Sequence, residues 1–159
     1  MSNPTRGLLV STLLALLAVM FVACSSVPAV PGATSGPLVT FTTRGGECLD
    51  GPCGGTTVIE RDGKVHQTVP AAADLGQVPV NILTALDAAI KTANFDAIRS
   101  VAFDMECPVN VDGQEFIYEF GAPGGVERVA SCETRIDPAH PLFAAVTAAL
   151  VAVDVLPAP

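Results

Sequence analysis

The chain of 159 residues has no Trp, a single Tyr and only 5% aromatic residues. Its 50% apolar content therefore does not come from an aromatic-rich core. Basic side chains are also scarce: 8 Lys and Arg, scattered along the chain, stand against 16 Asp and Glu, for a net charge of −8. Phosphate backbones must be met by Lys and Arg, so this balance argues against nucleic acid as a partner. No stretch of roughly 20 apolar residues, the length that spans a bilayer, occurs. Gly-x-Ser-x-Gly, His-Glu-x-x-His, Cys-x-x-Cys, EF-hand spacing and the phosphate-cradling Gly-x-x-x-x-Gly-Lys loop are all missing. No cofactor is implied. What is plentiful is turn chemistry, with 14 Gly and 13 Pro, and the length allows one domain and little else.

The N-terminus reads as an address. Arg6 is the only charged side chain before Arg44, and Leu13 to Ala23 is an unbroken apolar run of 11 residues. That is the length of a signal-peptide core. The run ends at Phe21-Val22-Ala23-Cys24, followed by Ser25-Ser26. This segment resembles the lipobox of bacterial lipoproteins, with Phe21 where that class usually carries Leu, Val or Ile. The resemblance covers the first 26 residues or so and implies several things. Residues 1–23 are a cleaved signal peptide, and Cys24 carries a diacylglycerol and an amide-linked fatty acid such as palmitate. The chain is then held by this lipid on the extracytoplasmic side of a bacterial cell-envelope membrane. Residues 24–37, rich in Pro, Gly and Ser, read as a tether whose last 13 residues reach at most ~40 Å.

The remainder, 38–159, reads as one α+β domain. Leu38 to Thr43 is β-branched and aromatic, a strand. Asp62-Gly63 between two β-rich runs suits a two-residue hairpin turn. That register sets Glu60 against Val65 and Val58 against Gln67, with Val58, Val65 and Val69 on the core face. Val78 to Ala93 has apolar residues at helical spacing. Gln114 to Phe120 alternates, with Phe116, Tyr118 and Phe120 on one side, and returns after Gly121–Gly125 as a second hairpin. Asp137-Pro138 reads as the start of a last, uncharged helix. Strands joined by hairpins predict an antiparallel sheet of about five strands with two main helices packed on one face.

Setting Cys24 aside leaves Cys48, Cys53, Cys107 and Cys132, an even number in an exported domain, which predicts two disulfides. Of the three connectivities, Cys48–Cys53 closes a small loop. Cys107–Cys132 is favoured because the second hairpin brings Cys132 opposite Gln114, beside the Asp112-Gly113 turn. A four-Cys zinc site has only one close pair, so the metal expectation is none.

The first pair cross-links a Gly-flanked loop, Arg44 to Gly55, displaying Glu47, Leu49 and Asp50, a candidate recognition loop, since a rigid loop loses little entropy on binding. Asp104, Glu106, Asp112 and Glu115 form an acidic stretch. His66 and His140 read as surface or capping residues. No residue is assigned a catalytic role. The expectation is a lipid-anchored, disulfide-stabilised envelope binding module, protein-binding or inhibitor-like, with the membrane and an envelope protein as partners. The alternative is an envelope hydrolase or metal-dependent enzyme built on the acidic stretch.

Overall fold

The structure, a computed structural model, describes residues 35–46, 48 and 53–157. The signal peptide, Cys24, most of the tether, Glu47, Leu49 and Asp50 lie outside the described residues. Six strands form one antiparallel sheet: β1 (Val39–Gly45), β2 (Gly54–Ile59), β3 (Lys64–Val69), β4 (Ala73–Gln77), β5 (Gln114–Ala122) and β6 (Gly125–Ala130). Their spatial order is β4-β3-β2-β1-β5-β6, so β1 and β2 are central. The helices are α1 (Val80–Thr92), the short α2 (Phe95–Arg99) and α3 (Pro141–Val151), with a 3-10 turn over Pro108–Val111. The class is α+β, with six strands rather than about five.

Strand alternation decides which side is buried. Val39 pairs with Ile59 and Phe120, and Phe41 with Thr57 and Tyr118, so these side chains share one face. Leu86 and Ile90 of α1, Phe95 of α2, and Leu142, Phe143, Val146, Ala149 and Leu150 of α3 join them in a single buried cluster. Aromatic side chains are few, but they gather there: the Phe120 ring lies 5.5 Å from Phe95, 6.0 Å from Tyr118 and 6.4 Å from Phe143. The opposite face carries Thr40, Thr42, Thr56, His66 and Ile117, half-buried, with Glu119 and Arg128 exposed. Thr42 and Thr56 hydroxyls meet there at 3.1 Å.

Three local expectations are corrected. The first hairpin has a three-residue loop, because Glu60 N–H donates to the Lys64 carbonyl and Gly63 takes φ +86°. Asp62 Oδ1 accepts from Lys64 N–H at 3.0 Å, which lowers the Asp62 carboxyl from its ordinary value. Register therefore moves by one: Ile59 faces Val65 on the core side, while Val58 faces His66 on the other. The second hairpin is likewise one residue off. Phe120 pairs with Glu127 and the turn is only Pro123-Gly124, so the register continued places Cys132 opposite Glu115 rather than Gln114. Finally, α3 starts at Pro141, not Pro138. His140 is its N-cap, with Nδ1 accepting from Leu142 N–H at 3.2 Å, while Asp137 Oδ1 accepts from Ala139 N–H in the turn before it.

β4 had no sequence signal, since Ala-Asp-Leu-Gly-Gln is poor in β-formers. It forms by pairing with β3 across a bulge and by packing Leu75 against the core. α1 ends where Ala93 turns extended, and Asn94 Oδ1 then caps α2 by accepting from Ala97 N–H at 3.0 Å.

Candidate functional site

The two disulfides, Arg44 and Glu115 gather at one end of the sheet. β1 leaves the sheet there through Gly45 and Gly46, both at positive φ, and the chain returns as β2 at Gly54. Cys48 and Cys53 close this connection, with Cα atoms 5.3 Å apart. A Cβ at Gly45 would overlap Val109 and the Gly113 carbonyl, so Gly is required for the loop base to press on the 3-10 turn.

The second bridge ties the same end. Cys107 precedes the 3-10 turn, whose Asn110 N–H donates to the Cys107 carbonyl at 3.0 Å. Gly113 N–H donates to the Pro108 carbonyl at 2.7 Å, and Asp112 adopts φ 60° to allow it. This folds the chain back so that Cys107 meets Cys132, Cα atoms 5.0 Å apart and 25 residues distant in sequence. Loop-closure entropy assigns about 3.5 kcal/mol to this bridge and about 2 kcal/mol to the shorter one.

Beside the second bridge lies a carboxylate whose burial the sequence did not mark. Glu115 is 1% exposed and accepts from Arg44 Nε across the β1–β5 pairing. The Arg44 side chain is 62% exposed, so the pair has one dry partner and one wet partner. Strand alternation placed Glu115 on the polar side of β5. In the fold, Cys107 and Cys132 lie against it and it is buried.

Around this frame sit exposed apolar side chains. Met105, two residues before Cys107, is 71% exposed; Val111, in the 3-10 turn, is 64%; Phe116, next to Glu115, is 37%. Phe116 stacks on Phe41 with centroids 6.1 Å apart, which fixes its ring from below.

The acidic stretch is not brought together. Asp104 pairs with Arg135 at 2.6 Å on the surface, and that guanidinium holds its carboxyl below the usual carboxylate range. Glu106 and Asp112 are exposed, while Glu115 is buried against Arg44. Among the described residues, the one grouping of three candidate metal-ligand atoms is Cys107, Glu115 and Cys132, two of which are bonded to each other.

The histidines are separated as well. His66 lies on the helix-free face, its Nδ1 3.9 Å from Glu60. His140 lines a hollow of about 270 Å³ with Asn94, Ile98, Val101, Arg135 and Phe143. Its Nδ1 accepts the cap bond from Leu142 N–H. A second, apolar groove between α1 and α3 is lined by Ile82, Ala144, Thr147, Ala148 and Val151. No helix among the described residues is long and apolar enough to cross a membrane.

Comparison of the chain with protein-family models, with curated proteins and with solved structures returned no match.

Proposed function

We propose that the chain is a lipid-anchored binding module of the bacterial cell envelope. Cys24 carries the lipid, residues 25–37 act as the tether, and the domain engages a protein partner through the stapled end of its sheet. The observation that carries this reading is the set of exposed apolar side chains Met105, Val111 and Phe116 on a frame closed by two disulfides. Exposed apolar side chains scattered singly need no explanation, but three on one braced segment do. A rigid frame keeps them in place, so little conformational entropy is lost on binding. Glu47, just before the first bridge, and Leu49 and Asp50, between its two cysteines, belong to the same end by sequence and extend this surface in the proposal. An inhibitor-like role is the special case in which the partner is an envelope protease. The acidic-stretch enzyme has less support, because its carboxylates are dispersed or paired.

Site-specific photo-crosslinking in intact cells tests the reading. A photoreactive residue at Met105, Val111 or Phe116 is expected to give a discrete protein adduct. The same residue at Val80 or Val126, exposed on α1 and at the start of β6, is expected to give none. No adduct from the stapled end, or equal adducts from all five positions, would overturn it.

A further inference from the structure

The carboxylate of Glu115 has other neighbours besides Arg44. One of its oxygens and the sulfurs of Cys107 and Cys132 all lie within 4.8 Å of one another. Three separate elements hold them: the entry to the 3-10 turn, β5, and the residues just past β6. We propose that reduction of the Cys107–Cys132 bridge converts this cluster into a Zn²⁺ site with Cys107, Cys132 and Glu115 as ligands.

The bridged sulfurs are closed to metal, because the thiolate and not the disulfide is the ligand. A dithiol reductant delivers two electrons and two protons to the bridge, leaving two thiols in the chain and becoming a disulfide itself. Zn²⁺ then displaces both thiol protons to solvent and takes two thiolates and one carboxylate. Three protein ligands leave a fourth position for water, the pattern of an open zinc site. Two soft thiolates favour Zn²⁺ over Mg²⁺ or Ca²⁺.

The geometry asks for little movement. Zn–S bonds of about 2.3 Å set two thiolates roughly 3.8 Å apart, and cysteines with Cα atoms 5.0 Å apart reach this by side-chain rotation alone. Glu115 is already desolvated and fixed by the sheet. Its present partner must give way. Arg44 is mostly exposed, so its guanidinium can turn into solvent while Zn²⁺ takes over the positive charge that faces Glu115.

The test uses the full chain with Cys24, Cys48 and Cys53 changed to Ser, so that only the Cys107–Cys132 pair remains. The probe is Co²⁺, read by its thiolate charge-transfer band, followed by displacement with Zn²⁺. The phosphine-reduced chain is expected to bind about one metal ion with this band, and the oxidised chain none. Glu115→Gln is expected to weaken binding at least ~10-fold. Arg44→Gln, which removes the competing cation, is expected to tighten it. No thiolate band on reduction, or unchanged affinity in Glu115→Gln, overturns the site. If reduction alone unfolds the chain, Zn²⁺ must restore its circular dichroism, since metal binding is then folding free energy. A reduced chain that stays unfolded with Zn²⁺ present also overturns it.

Discussion

Removing the guanidinium of Arg44 is a direct probe of the stapled end. In Arg44→Met the stem is kept, while the carboxylate of Glu115, 1% exposed, loses its charged donor. Breaking a fully buried ion pair from one side costs about 3–5 kcal/mol. An unsatisfied polar group costs about 1–3 kcal/mol. Arg44 is 62% exposed, so water reaches the pair from its side and the expected loss falls in the upper part of the second range, at about 2–3 kcal/mol. The assay is urea unfolding of the oxidised chain. An m-value of ~2 kcal/mol/M turns that loss into a drop in midpoint of roughly 1–1.5 M. Glu115→Leu in the Arg44→Met background removes the orphaned charge and is expected to recover most of the loss, a coupling that the double-mutant cycle reads directly. Arg44→Met within ~0.5 kcal/mol of the parent, with no coupling to Glu115, would refute the reasoning.

Tyr118 is the only Tyr in a chain without Trp, so near-ultraviolet phenolate absorbance reports it alone. Burial pushes its hydroxyl up to about 12, so its contribution to stability is complete below pH 10 and is lost as pH rises towards 12. A titration midpoint near 10 in the folded chain would contradict that burial. His140→Ala removes the α3 cap and is expected to cost about 1 kcal/mol in thermal or urea unfolding, whereas His140→Asn, which keeps an acceptor, recovers most of it. Equal losses in the two variants would mean that the tilted contact with the Phe143 ring, not capping, is what His140 supplies.

The elements whose signals are local were legible in the sequence. The β-branched runs became β1 to β3, the 3.6-residue pattern became α1, and both cysteine pairs lie at bonding distance. Errors arose where one local pattern fits two structures. Asp62-Gly63 serves a two-residue loop or a three-residue loop with Gly63 at positive φ. Burial of Ile59 and Val65 together selects the second. Asp137-Pro138 and His140-Pro141 are both cap-and-proline pairs, and only the second is followed by the residues that pack on the sheet. β4 has no intrinsic strand preference and exists through its neighbour. The burial of Glu115 was illegible for a related reason. A carboxylate in an alternating strand reads as solvent-facing, and what covers it comes from residues far away in sequence.

The functional account rests on the anchor at Cys24, and one measurement meets it directly. Cells expressing the chain are fed an alkyne fatty acid, and the label and the membrane association are followed in the parent and in Cys24→Ala. The account predicts a labelled, membrane-bound parent and an unlabelled Cys24→Ala chain released from the membrane fraction. An unlabelled parent, or a Cys24→Ala chain that stays with the membrane as the parent does, would contradict it.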